Sequence, residues 1–154
     1  MEALIADANL LLRLVTRAPE QMFRAARDFL LDLAARAQRL EVHPMHVAKA
    51  IYVLEGEVYG LSPEEAAREL GTLLTARVFE PLDEAVLVRA LEAYPGTGLD
   101  FPDVFLLAWA EEYGGQAVSF DRRMPSTGTT VLNPASPNQR MAGQGRTTGD
   151  RQTG

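Results

Sequence analysis

Residues 98–121, GLDFPDVFLLAWAEEYGGQAVSFD, hold a helix, its stop and a strand in 24 positions, with acids at both ends. Asp100 and Asp103 open an apolar helical run that reaches Tyr113, and Gly114-Gly115 ends it. QAVSF (116–120) then reads as a buried strand, with Asp121 immediately after it. A helix followed by a strand that ends in an acid is half of a β-α-β unit, so the chain is read outward from here for its partners.

The same units recur upstream. ALIA (3–6) is a strand that stops at Asp7, and apolar residues repeat at helical spacing over Asn9–Val15 and Glu20–Gln38, where Phe23, Ala26, Leu30, Leu33, Ala34 and Ala37 form one stripe. LEVHP is a short strand, and residues 44–59 form a helix with Val47, Ala50, Ile51, Leu54 and Val58 facing inward. Ser62-Pro63-Glu64-Glu65 is a helix start with a capping box. RVFEP (77–81) precedes a helix over Asp83–Tyr94, and TTVLNP supplies an edge strand. This β-α-α order predicts an α/β fold: a three-layer α/β/α domain over residues 1–133, with a mostly parallel sheet of four to five strands. Residues 134–154, poor in large apolar side chains, read as a flexible low-complexity tail.

Composition narrows the chemistry. The chain has no cysteine and two histidines, which excludes disulfides, thiolate metal sites and thiol nucleophiles and leaves carboxylates as the main resource. The amino terminus has neither the basic start nor the unbroken apolar stretch of a signal peptide, and no run of about 20 apolar residues occurs, so a cytoplasmic protein with no membrane contact is expected. The net charge of −6 divides into +2 from Pro134 onward and −8 before it. Nucleic acid would therefore be held by a local basic rim rather than the whole surface.

In a parallel α/β sheet, ligands bind outside the carboxyl ends of the strands. Asp7 and Asp121 fall just past two such ends, and Asp103, beside Asp100, opens the helix before the second. Oxygen donors without thiolates suit Mg²⁺ or Mn²⁺, which can activate water against a phosphodiester.

At these residues the chain resembles the PIN-domain family. IADANLLLRLV, VAKAIYVLE with VYGLSPEE, GLDFPDVFLLAWAEEYGGQAV and SFDRRM, in this order, look like the VapC-type toxin ribonucleases of toxin–antitoxin pairs. The resemblance implies a metal-dependent endoribonuclease with Mg²⁺ or Mn²⁺ held by Asp7, Asp103 and Asp121. Asp100 would be a supporting acid and Asn9 would steady the first loop. It also implies a homodimer and a cognate antitoxin as partners, with RNA as substrate. Arg122 and Arg123, directly after Asp121, would grip the RNA backbone.

One position departs from the family pattern. Where A-E-x-x-Y-V-L is expected, residues 48–54 read A-K-A-I-Y-V-L, so Lys49, the only lysine in the chain, stands at the acidic position. Three readings follow: a solvated helix residue; an ammonium that neutralises the aspartates in place of a metal; or a contact to substrate phosphate. The second is preferred. A Glu codon becomes a Lys codon by one nucleotide change, which would leave a lone lysine in a chain whose other cations are all arginine. Glu55 and Glu57 cannot replace the missing acid by a register shift, since six residues is about 600° of helical rotation. A PIN ribonuclease with impaired activity is thus expected; the alternative is a non-catalytic PIN-fold module that binds an antitoxin or RNA. A phosphatase with an aspartate nucleophile is a weaker third, because Asp7-Ala8-Asn9 lacks the second acid of D-x-D.

Simpler roles remain open for most of these residues. Asp100 and Asp7 can be helix caps, and Asp103 can favour a helix dipole. His43 and His46 lack further zinc ligands and suit a surface or capping role, Trp109 and Tyr113 suit the core, and Arg13, Arg17, Arg24 and Arg27 suit the solvated surface.

Overall fold

A computed structural model describes residues 2–124 and 131–136. Its elements run β1 (Leu4–Ala6), α1 (Ala8–Thr16), α2 (Glu20–Ala35), β2 (Leu40–Val42), α3 (Pro44–Glu55), α4 (Pro63–Leu74), β3 (Phe79–Pro81), α5 (Glu84–Ala93), a 3-10 turn (Tyr94–Gly96), α6 (Phe101–Glu112), β4 (Ala117–Val118) and β5 (Val131–Leu132). The expected tail lies almost wholly outside the described residues.

The architecture is three-layer α/β/α around a small, all-parallel sheet. β1, β2 and β3 are hydrogen-bonded in that order, and β4 and β5 form a second parallel pair. Register sets Leu4, Leu40 and Phe79 in one row and Ala6, Val42 and Pro81 in the next. Because strand side chains alternate faces, both rows point the same way, and Leu40, Val42, Phe79 and Ala6 are buried there. The register also aligns the next residues: Asp7 and His43 follow β1 and β2 at one carboxyl edge.

The helices bury the residues that periodicity selects, with exceptions that have local causes. In α3, Val47, Ala50, Ile51 and Leu54 are buried. The helix stops at Glu55 rather than 59, capped at Gly56, so Val58 leaves the stripe and stands 86% exposed. In α2, Ala26 and Leu33 are buried, but Ala34 is exposed, and Ala37 lies past the helix end at a φ of 53°. In α6, Trp109 and Tyr113 are 38% and 61% exposed, against the core role expected of them. They complete a ladder at four-residue spacing: Phe101 to Phe105 to Trp109 to Tyr113, with centroids 6.3, 6.0 and 4.7 Å apart. The buried face of α6 is instead built by Phe101, Val104, Leu107, Ala108 and Ala110.

The capping box at α4 forms as read. Glu65 N–H donates to Ser62 Oγ at 3.1 Å, and Ser62 N–H donates to Glu65 Oε2 at 2.8 Å. Ser62→Ala orphans one helix N–H and should lower stability by about 1 kcal/mol, measured by urea unfolding with an unchanged m value.

Candidate functional site

The geometry is built on the amino end of α6 and the turn after β4. Asp100 holds the N-cap position of α6, yet its side chain makes no capping bond; its carbonyl accepts from the N–H groups of Asp103 and Val104 at 3.1 and 3.2 Å. The side-chain capping role expected of Asp100 is therefore not the one it plays. Its exposed carboxylate acts on Tyr94, Asp103 and Arg123 through space.

Asp103 is partly buried in the first turn of α6. Burial, and then the like charges of Asp100 and Asp121, push its carboxyl above the usual range, and Arg123 only partly offsets them. Asp121 is pulled the other way. Arg123 grips it with Nε to Oδ1 at 3.1 Å, Nη2 to Oδ2 at 2.8 Å and its backbone N–H to Oδ1 at 2.9 Å, which holds the Asp121 carboxyl below its ordinary value. Arg123 is held charged by the same contacts. Three carboxylates from two segments thus surround one guanidinium.

These two acids tie stability to pH in opposite senses. The folded state prefers Asp103 protonated, so its contribution is present below the unfolded-state value and is lost as pH rises through the raised folded one. Asp121 contributes above its unfolded value and loses that as pH falls through the lowered one. Asp103→Asn should therefore stabilise the protein at pH 7 by about 0.5–1 kcal/mol, a gain that vanishes once acid protonates Asp103 in the parent. Thermal unfolding across pH 3–8 measures it, and Mn²⁺ should stabilise the parent more than the variant.

Asp7, the residue after β1, is exposed, and its Oδ1 accepts from Leu10 N–H at 2.9 Å as the N-cap of α1. The charges acting on Asp103 are those of Asp100, Asp121 and Arg123; Asp7 is not among them. Asn9 is exposed in the first turn of α1, and Arg122 is exposed beside Arg123. Among the described residues, no group of three or more His, Asp or Glu is arranged to hold a metal ion. The donors fit a hard cation in kind, and burial first, then the like charges of Asp100 and Asp121, keep the Asp103 carboxyl raised.

Lys49 is exposed on α3 and forms no ion pair among the described residues, so the expected contact neutralising Asp7, Asp103 and Asp121 is not made. It lines a cavity of about 1000 Å³ between α3 and α6, shared with Asp100, Glu55 and Tyr94. Sequence reasoning set Glu55 aside as belonging to another helix face. The cavity wraps the end of α3 and reaches it nonetheless, and the buried Tyr94 hydroxyl donates a hydrogen bond to Glu55 Oε2. Burial first, and then that carboxylate, raise the Tyr94 hydroxyl far above its usual range, so it stays a donor. A tyrosine 39 positions away gave no local signal for this contact.

The remaining candidates have structural roles. His43 and His46 stand with ring centroids 6.5 Å apart, and His43 Nε2 lies 3.6 Å from Glu41. Arg13 donates to Ala18 O, Arg17 stacks on Phe23, and Arg24 and Arg27 pair with Glu20 and Asp28.

A comparison with curated proteins found no match. The family model described as PIN domain matches residues 4–129, nearly all of the folded chain, from the first strand past the turn after β4. That match, over most of the chain and on this parallel sheet, places the chain in the PIN domain family, a generally nuclease fold.

Proposed function

We propose that the protein is a PIN-domain endoribonuclease of VapC-like type, its activity impaired by Lys49. The observation that carries this reading is the placement of Asp103 in the first turn of α6 and of Asp121 just after β4, near enough for their charges to act on each other, within the PIN-domain match. Asp103 and Asp121, with Asp7 from β1, would hold Mg²⁺ or Mn²⁺, and Asp100 would support them. When bound, such an ion supplies Lewis acidity toward a phosphodiester oxygen. The chain's own residues set the remaining terms. The exposed Arg122 offers its guanidinium to the RNA backbone, Arg123 would join it on leaving Asp121, and Asn9 steadies the loop after β1. Lys49 adds a positive charge to the wall of the cavity that Asp100 also lines, which opposes metal uptake and attracts phosphate.

Mn²⁺ titration by calorimetry, followed by cleavage of a mixed-sequence RNA, tests the reading. Measurable uptake with metal-dependent cutting supports it, and neither at millimolar Mn²⁺ refutes it. A second reading, a non-catalytic module that binds an antitoxin or RNA, is favoured by the Arg123 fork that already occupies both oxygens of Asp121. Tight antitoxin binding without metal uptake would select it.

A homodimer belongs to the same proposal. The open side of α6 presents Pro102, Phe105, Leu106, Trp109 and Tyr113 without a charge among them, as an interface core would. No helix among the described residues is long and apolar enough to cross a membrane; a cytoplasmic location is part of the proposal.

A further inference from the structure

A second cavity, about 490 Å³, opens between α4 and α5, away from the acidic turn. Its floor is apolar: Ala67 and Leu74 come from α4, and Leu87 and Leu91 from α5. Val88, also on its wall, is 47% exposed although its neighbours Val86 and Leu87 are buried. An apolar trough on a helix pair is ordinarily closed by side chains from one of its own walls. Here Gly71, in the third turn of α4, leaves it open.

That glycine has no packing reason within the chain. A Cβ added at Gly71 would meet nothing within 4 Å, and its backbone is not in a left-handed conformation. Mid-helix glycine is unfavourable relative to alanine, so the helix gives up local stability at the point where the trough is most accessible. A position with space above it and no Cβ admits close approach by another backbone.

The rim adds three acids and one cation, a net negative charge. Glu64, Glu84 and Glu92 border the cavity, and none of their carboxylates makes a hydrogen bond or ion pair with another described residue. Elsewhere on the surface, Glu20, Asp28, Asp32, Glu80 and Glu112 are each paired with arginine. The one rim cation, Arg68, turns to Glu69 at 4.0 Å. Three unpaired carboxylates around an apolar trough repel an anionic ligand and leave a neutral apolar one without complement to the rim.

We infer that the α4–α5 trough is a docking site for a basic amphipathic segment of a partner protein, its apolar face laid over Gly71 and its Lys or Arg side chains meeting Glu64, Glu84 and Glu92. The inference does not depend on nuclease activity, because no residue of the trough belongs to the acidic turn.

The test uses the full chain, labelled with ¹⁵N, and two helical peptides of about 18 residues with the same leucine pattern, one with lysine and one with glutamate at the polar positions. The Leu/Lys peptide is expected to bind and to shift the amide signals of Gly71 and Val88, and the Leu/Glu peptide is expected not to bind. Gly71→Leu fills the trough and should weaken the Leu/Lys peptide about tenfold. The exposed pair Glu84→Gln/Glu92→Gln should weaken it about fivefold without disturbing the fold. Gly71→Ala, which meets no neighbour, should fold with a higher Tm and serves as the check that losses in Gly71→Leu are not unfolding. Equal binding of the two peptides, shifts confined to the α3–α6 cavity, or unaltered affinity in both Gly71→Leu and the double Gln variant would overturn the assignment.

Discussion

Lys49→Glu should raise metal-dependent RNA cleavage in Mn²⁺ by about 30-fold or more. The change is two charge units on the wall of a cavity that Asp100 also lines. Taking the ion to lie about 8 Å from position 49, two units are worth roughly 2 kcal/mol even at the dielectric of bulk water, which is about 30-fold, and more if the cavity is drier. Lys49 is exposed and unpaired among the described residues, so the substitution breaks no contact that holds the fold. Parallel Mn²⁺ titrations and RNA cleavage assays on both proteins measure it. Equal metal uptake and equal cutting would remove Lys49 from the account of activity, whatever the absolute rate.

The second large effect is on assembly. Trp109→Ser/Tyr113→Ser should loosen a homodimer by at least about 100-fold, because partly exposed aromatics at the centre of an uncharged stripe are the residues on which interface energy concentrates. Tyr52, on the wall of the cavity that Pro102 also lines, is 81% exposed and adds to the uncharged surface near this stripe. Sedimentation equilibrium reads the dissociation constant. Thermal unfolding checks that the variant still folds, as expected from a helix whose buried face is made by other residues. A parent protein that remains monomeric at high concentration would remove the dimer from the proposal.

Elements whose causes are local were legible in the sequence. Ser62, Pro63 and Glu65 specify the start of α4 by hydrogen bonds within three residues, and they do so in the structure. The strands read at ALIA and LEVHP form as β1 and β2, and parallel order followed from helices between successive strands. The acids at the start of α6 and after β4 were read from their places relative to those elements.

What failed had no local signature. Trp109 and Tyr113 have the helical phase of a core stripe when counted from Phe101, but four-residue steps drift around the helix by about 40° each, and by Trp109 the ladder has turned outward. Lys49 has buried neighbours at 50 and 51, yet one step of about 100° carries it to solvent.

The sequence by itself determined the order of elements and the parallel sheet, because each follows from periodicity and capping over a few residues. Only the tertiary structure decided which charges meet: that Arg123 closes on Asp121, that Asp100 presses on Asp103 rather than capping its helix, that Tyr94 reaches Glu55, and that Lys49 pairs with none of the acids expected to hold it. Electrostatic partners are chosen by distance in space, and distances between segments far apart in the chain are fixed only when the core between them has packed.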